Sequence, residues 1–124
     1  MKILILGSAS YTARRLREAA KERGHICHIK SYKNCYLSVE SGETKIFYKG
    51  KELAGYDAVI PRIAQSYTKY GTAVLRQFEM KGTYVAASSL AINRSRNKLR
   101  SMQLLAKANV GVPKTIIANS DSDT

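Results

Sequence analysis

The sequence predicts a three-layer α/β domain with a mostly parallel sheet of about four core strands and an additional short hairpin. Residues 2–6 form a nearly continuous apolar run ended by Gly7, as in a strand buried on both faces of a parallel sheet. Residues 11–23 have helix-forming composition, and residues 25–30 predict a second strand. Strand, helix and strand within about thirty residues form a βαβ unit, whose crossover is expected to be right-handed.

The first helix has clear end signals and one apolar face. Ser10 is suited to cap its N-terminus, because a serine hydroxyl accepts a hydrogen bond from helix amides. Gly24 is suited to close its C-terminus, because glycine tolerates the left-handed conformation there. The face expected to cover the sheet carries Leu16, Ala19, Ala20 and Arg23.

The middle of the chain is less regular. Residues 35–39 and 45–48, followed by a turn at residues 49–50, predict a hairpin or short edge strands. Residues 56–60 predict the next core strand. We expect Pro61 to end that strand, because proline cannot donate a hydrogen bond to a neighbouring strand.

Two helices and two strands are predicted after this point. Residues 70–81 predict a helix, and residues 83–86 predict a brief fourth core strand. The sheet-facing residues of that helix are Ala73, Val74, Gln77 and Phe78. Residues 94–108 predict one long basic helix, and residues 114–117 predict a further strand.

The chain is strongly basic. Twenty-one lysine and arginine residues against nine acids give a net charge of +12 at pH 7, and no acid lies between Glu79 and Asp121. Such a positive field attracts polyanions and speeds their encounter, but it does not determine the fold. RNA, nucleotide phosphates and an acidic polypeptide tail are all compatible with this charge.

Several classes of protein are disfavoured. No apolar run approaches the roughly 18 residues of a membrane span, and the opening run is too short for a signal peptide, so we expect a cytoplasmic protein. Cys27 and Cys35 are too far apart for a CxxC motif, and free thiols are expected. His25 and Cys27 would share one face of a strand while His28 faces away, so no metal site is expected. Neither histidine lies in a recognisable nucleophile motif.

Two positions at the carboxyl ends of predicted strands are suited to anions. The turn of residues 7–10 leads into the first helix, whose N-terminal amides favour an anion, although a tight turn with a serine cap is the alternative. Arg62 follows Pro61 where the chain leaves the sheet, and its guanidinium can hold a carboxylate or phosphate through two parallel hydrogen bonds. The alternative for Arg62 is a surface arginine paired with a neighbouring acid.

Lys98 lies on the predicted basic helix, beside its apolar stripe. At about 100° per residue, that stripe carries Leu99, Met102, Leu105 and Ala106. A lysine at the border of a buried face can reach into a cleft, or it can extend to water with its stem packed. Three cations fall away from the stripe and are expected to be solvated: Arg96, Arg100 and Lys107.

Three stretches resemble a known family: DAVIPRI at residues 57–63, YGTAVLRQFEM at residues 70–80 and NKLRSMQLLA at residues 97–106. They closely resemble the RimK family of ATP-grasp α-L-glutamate ligases, which modify the tail of a small-subunit ribosomal protein. The resemblance covers essentially all 124 residues. It implies a Rossmann-like preATP-grasp domain over residues 1–112 and the start of a connection into an ATP-grasp module over residues 113–124.

The resemblance also implies an activity. ATP phosphorylates the C-terminal carboxylate of a peptide, and the amine of a glutamate then displaces the phosphate. The adenine pocket, the glycine-rich phosphate loop and the Mg²⁺ carboxylates belong to the ATP-grasp module, so this chain is expected to hold no catalytic residue and to be inactive alone. Lys98 matches a position whose basic side chain can reach nucleotide phosphates, and Arg62 is a candidate contact for the substrate carboxylate or phosphate. Family members usually have an aspartate where this chain has Asn97.

The expected partners follow from the same resemblance. They are the ATP-grasp module and the acidic C-terminal peptide of a ribosomal protein, with the ribosome and a second copy of the chain left open, and no membrane. Two alternatives stand beside this interpretation. A free-standing RNA- or ribosome-binding module would use the basic surface, and a nucleotide-binding domain would use the turn after Gly7.

Overall fold

The computed structural model describes residues 1–118, which form two β-sheets, four α-helices and two short 3-10 turns. The strands are β1 (Lys2–Gly7), β2 (Ile26–Lys30), β3 (Cys35–Glu40), β4 (Glu43–Tyr48), β5 (Lys51–Glu52), β6 (Ala58–Arg62) and β7 (Tyr84–Val85). The α-helices are α1 (Tyr11–Glu22), α2 (Thr68–Met80), α3 (Ser89–Ser95) and α4 (Lys98–Lys107). The 3-10 turns are Tyr32–Asn34 and Gln65–Tyr67. No helix in the described part of the chain is both long and apolar enough to cross a membrane.

The main sheet contains four parallel strands in the order β2-β1-β6-β7, which confirms the predicted α/β class. The chain moves from β1 to β2 through α1 in one direction, and from β6 to β7 through α2 in the other. The order of strands therefore reverses between β1 and β6. In open α/β sheets, ligands bind beyond the carboxyl ends of the two strands at such a switch point.

Alternation along β1 divides the interior between the two faces of the main sheet. Leu4 and Leu6 are fully buried and belong to the core cluster that includes Val74 and Phe78 of α2. Ile3 and Ile5 point to the opposite face. Crossovers between parallel strands are right-handed as a rule, and two such crossovers leading in opposite directions put their helices on opposite faces, as the predicted three layers require.

The predicted ends of α1 are confirmed. The Ser10 hydroxyl accepts from the amide of Ala13 at 3.2 Å, and Gly24 adopts a positive φ of 80° just after the helix. The predicted inner face is only partly correct. Leu16, Ala19 and Ala20 are half-buried, but the one fully buried residue of α1 is Ala13, which was not predicted. Arg23 is exposed because it lies beyond the last turn as the C-cap.

The predicted hairpin forms a separate antiparallel sheet in the order β3-β4-β5. Ile46 of β4 is fully buried and joins the main core cluster. The buried Gln77 side chain of α2 donates to the carbonyl oxygens of Ser38 and Lys45 at 3.1 and 2.9 Å. These two hydrogen bonds tie the small sheet to α2, which also covers the parallel sheet.

Three expectations about the later elements are wrong. Pro61 lies inside β6 opposite Leu6, because β7 pairs only with Ala58 and Val59 and no neighbour on that side needs a Pro61 amide. The predicted long helix over residues 94–108 is two helices, α3 and α4, with Asn97 in extended conformation between them. Residues 114–117 form no strand, since no partner strand lies beside them in the described residues and Ile116 is 80% exposed.

Candidate functional site

A cavity of about 420 Å³ lies beyond the carboxyl ends of β1 and β6, at the switch point of the main sheet. It opens between the loop after β1, the end of β6 and the helix α3. Its lining is Ser8, Ser10, Pro61, Arg62, Ile63, Ala64, Ala87, Ile92 and Arg96. Two arginines and no acidic residue are among these side chains, so the cavity is suited to an anion.

Arg62 stands at the end of β6, directly opposite Gly7 of β1. The two backbones approach so closely that a Cβ at Gly7 would lie 2.5 Å from the Arg62 carbonyl oxygen and 2.8 Å from the Arg62 Cβ. Glycine is therefore needed at position 7 for close approach between strands. The Arg62 side chain is exposed, and none of the ion pairs among the described residues includes it. Its guanidinium is free to bind an anion in the cavity.

The N-terminus of α1 adds to the positive character of the cavity. Ser8 and Ser10 line it, and the first turn of α1 carries no acidic residue. The unpaired amides of a first helical turn carry partial positive charge. The Ser10 hydroxyl caps the helix, as the tight-turn interpretation of residues 7–10 predicts, while the turn also borders the cavity.

Arg96 also lines the cavity, and the expectation that it is solvated is wrong. It is the C-cap of α3, partly buried, and its Nη1 donates to the Thr68 hydroxyl at 3.0 Å. Its Nη2 donates to the Ile63 carbonyl oxygen at 2.7 Å. The helical wheel assumed one continuous helix, whereas the break before Asn97 directs Arg96 back toward the end of β6. The signal that was available is the asparagine itself, since asparagine is a strong N-cap.

Lys98 is the first residue of α4 and is exposed. It does not line the cavity that contains Arg62, so this structure does not bring the two sequence-predicted site residues together. Asn97 accepts from the amide of Arg100 at 3.0 Å and caps α4. An aspartate at this position would cap the helix in the same way. The predicted roles of Lys98 and Arg62 remain predictions.

The apolar stripe predicted beside Lys98 is largely exposed in this domain, and Met102 is its one half-buried residue. Leu99 and Leu105 are each 42% exposed. Together with the following segment, α4 forms a groove of about 460 Å³ lined by Leu99, Met102, Gln103, Ala106, Val112, Pro113, Lys114, Thr115 and Ile117. Of the four predicted stripe residues, Leu99, Met102 and Ala106 line this groove and Leu105 does not, and the main core buries none of them.

The histidines and cysteines lie apart from the cavity. The Nδ1 of His25 is 3.1 Å from the N-terminal amine, and the Nδ1 of His28 is 2.7 Å from the Tyr56 hydroxyl. Both cysteines are free, and burial raises the pKa of the Cys35 thiol to about 11. Within residues 1–118, no three histidine, cysteine or acidic side chains are grouped so that they could hold a metal ion.

Comparison with known proteins identifies relatives along the whole chain. Residues 1–92 match the sequence model of the RimK PreATP-grasp domain family. A probable alpha-L-glutamate ligase from Vibrio cholerae is 54% identical over 125 aligned positions, which cover 99% of this chain and 42% of that protein. The chain therefore spans about two-fifths of the length of this curated relative.

Solved structures share the fold at low sequence identity. A RimK domain protein ATP-grasp from Sphaerobacter thermophilus superposes with a TM-score of 0.66 at 18% identity, over 92% of this chain and 40% of that one. The ATP-grasp ligase PsnB, complexed with minimal precursor, Mg and ADP, gives a TM-score of 0.65 at 22% identity, over 95% of this chain and 48% of that one. The α/β fold, the sequence match and the relatives agree, and this chain belongs to the RimK preATP-grasp domain family.

Proposed function

We propose that this chain is the leading domain of an ATP-dependent ligase that adds L-glutamate to the C-terminal carboxylate of a ribosomal protein or related peptide. In this proposal the domain forms one wall of the substrate cleft. The observation that supports it is the cavity at the switch point between β1 and β6, which is lined by Arg62, a residue in none of the ion pairs of residues 1–118. The names of the relatives supply the reaction class.

The reaction joins two substrates through an activated carboxylate. An oxygen of the acceptor carboxylate attacks the γ-phosphorus of ATP, which gives an acyl phosphate and ADP. The glutamate amine then attacks the acyl carbon, the C–O bond to phosphate breaks, and the amide forms with release of phosphate and a proton. Arg62 would hold the acceptor group in place and offset its negative charge, which is a contribution of positioning and electrostatics.

ATP and Mg²⁺ would be bound mainly by the part of the ligase outside this chain. PsnB is described in complex with Mg and ADP, which supports the use of both by a protein of this fold. The described residues contain no group of three acidic or other metal-ligating side chains. The family resemblance assigns the carboxylates that hold Mg²⁺ to the ATP-grasp module. From this chain, we propose that Lys98 contacts the nucleotide phosphates once that module is in place.

An acidic peptide is the proposed acceptor. PsnB is also complexed with precursor peptide PsnA2, so a fold neighbour binds a peptide. The net charge of +12 favours an acidic tail, since opposite charge speeds encounter and raises its local concentration. A ribosomal protein with an acidic C-terminus fits this requirement.

The test is a ligation assay with the intact ligase. The enzyme is incubated with ATP, Mg²⁺, glutamate and an acidic peptide, and mass spectrometry counts the glutamates added. Lys98→Ala should raise the ATP concentration needed for half-maximal rate, while Lys107→Ala on the same helix serves as the control. An enzyme that adds no glutamate would refute the proposed reaction. If the Lys98 variant needed the same ATP concentration as the wild type, the proposed contact between Lys98 and the nucleotide phosphates would be refuted.

The strong positive charge favours one alternative, a free-standing module that binds RNA or the ribosome. Such binding would release counterions, so the affinity for mixed RNA would fall steeply as salt rises. Filter binding of this chain to mixed RNA across a salt series tests it. Tight binding with a steep salt dependence, together with an absence of ligation by the intact protein, would favour this alternative over the ligase.

A further inference from the structure

The cavity at the switch point contains more positive charge than a single carboxylate needs. Arg62 and Arg96 both line it, no acidic residue does, and the three ion pairs within residues 1–118 involve neither arginine. Two like charges facing one small space repel each other. A ligand with two negative groups would pair with both guanidinium groups and offset their repulsion, so the cavity is suited to a dianion.

Arg96 is held in a fixed orientation before any ligand binds. Its two hydrogen bonds, to the Thr68 hydroxyl and the Ile63 carbonyl oxygen, join α3 to the segment that follows β6. A guanidinium has five N–H donors, so donors remain for a ligand. A side chain that is already ordered loses little conformational entropy on binding. The same contacts that anchor Arg96 therefore prepare it to receive an anion.

The cavity also has the size and position of a residue-binding subsite. Its volume of about 420 Å³ falls within the range of small-molecule sites, and it is partly open to solvent. Ser8 and Ser10, at the N-terminus of α1, also line it. A terminal amino acid can enter while the rest of a peptide extends outward.

We propose that Arg96 is a specificity-determining residue that binds the side-chain carboxylate of the acceptor's terminal residue, while Arg62 holds the α-carboxylate that is activated. This inference rests on the proposed function. Each ligation leaves a glutamate at the new C-terminus, with one α-carboxylate and one γ-carboxylate. An acceptor that has already received a glutamate therefore presents two anions to the two arginines. Arg96 thus favours second and later additions over a first addition to an uncharged terminal residue.

The experiment compares two acceptor peptides that differ only at the last residue, glutamate or glutamine, with the intact ligase. The kcat/KM of each peptide is measured at saturating ATP and glutamate. Because a hydrogen-bonded charge pair is lost with glutamine, the wild-type enzyme should prefer the glutamate peptide roughly tenfold to a hundredfold. Arg96→Gln should bring this ratio close to one, and Arg96→Lys should give an intermediate ratio.

The ratio is insensitive to a loss of folded enzyme, because both peptides are measured on one preparation. Arg100→Gln is the matched control, since Arg100 is exposed on α4 and does not line the cavity. It should keep the wild-type ratio. A wild-type enzyme without the preference, or an Arg96→Gln enzyme that retains it, would overturn the role of Arg96. An enzyme that transfers glutamate to neither peptide would instead refute the proposed function itself.

Discussion

Replacing Gly7 with alanine tests how the fold builds the rim of the cavity. Gly7 pairs with Arg62 across the parallel strands β1 and β6. A Cβ at position 7 would lie 2.5 Å from the Arg62 carbonyl oxygen and 2.8 Å from its Cβ. Atoms this close cannot coexist, so the two strands must separate at the end where Arg62 enters the site.

The cost follows from what the new methyl group meets. Overpacking in a well-packed interior typically costs about 1–3 kcal/mol. The obstacle here is the backbone of a paired strand rather than the end of a flexible side chain, so we expect about 3 kcal/mol. For a chain of this size, about 4 °C per kcal/mol converts that loss into a decrease of roughly 12 °C in Tm.

Thermal unfolding followed by circular dichroism measures this difference. Gly111→Ala is the matched control, because a Cβ at Gly111 meets nothing within 4 Å and its φ is not positive. That variant should be neutral or more stable by up to about 1 kcal/mol, through a less flexible unfolded chain. If Gly7→Ala were within about 0.5 kcal/mol of Gly111→Ala, the reasoning about close approach would be refuted.

Three further predictions concern the interior. A Cβ at Gly71 would lie 2.5 Å from the Ile63 Cγ2, so Gly71→Ala should cost about 1–2 kcal/mol. A double-mutant cycle with Ile63→Ala should show a favourable coupling, and simple additivity would contradict the clash. Burial raises the pKa of Cys35 to about 11 from 9.0, so the unfolded thiol ionises first and the free energy of unfolding should fall between pH 9 and 11. Cys35→Ala should lose less stability over that window in urea titrations, and identical pH slopes would exclude a contribution from the thiol. Gln77→Leu removes both hydrogen bonds from α2 to the small sheet and should cost about 1–3 kcal/mol by the same titration, whereas a neutral effect would show that these two hydrogen bonds add no net stability.

The first βαβ unit was predictable because local signals and tertiary context agree there. The apolar run of β1, the serine cap at Ser10 and the glycine at position 24 each indicate the same boundaries. Most of the predicted inner face of α2 is also correct, since Val74, Gln77 and Phe78 are buried, while Ala73 is half-buried and Leu75 is buried without having been predicted. In these segments, contacts with residues far away in the sequence do not change the secondary structure that the local sequence favours.

The errors arose where a neighbouring element decides the outcome. Pro61 was expected to end a strand, but it lies beyond the short partner strand β7, so its missing amide costs no hydrogen bond. Residues 114–117 have strand-like composition and no partner in the described structure. Arg96 was assigned to solvent because a continuous helix was assumed. Of the candidate site, Arg62 was located from its place after a strand, whereas Arg96 depends on the three-dimensional path of the chain.

In the proposed function, Arg62 binds the α-carboxylate of the acceptor in the cavity at the end of β6. The most direct test of this contact is the steady-state kinetics of Arg62→Ala in the intact ligase, with the acceptor peptide varied at saturating ATP. We expect the KM for the peptide to rise roughly tenfold to a hundredfold, because a charge-assisted contact is lost, while the KM for ATP stays unchanged. Arg76→Ala, on an exposed arginine of α2 outside the cavity, should leave both constants at their wild-type values. An Arg62→Ala enzyme with the wild-type peptide dependence would contradict the account.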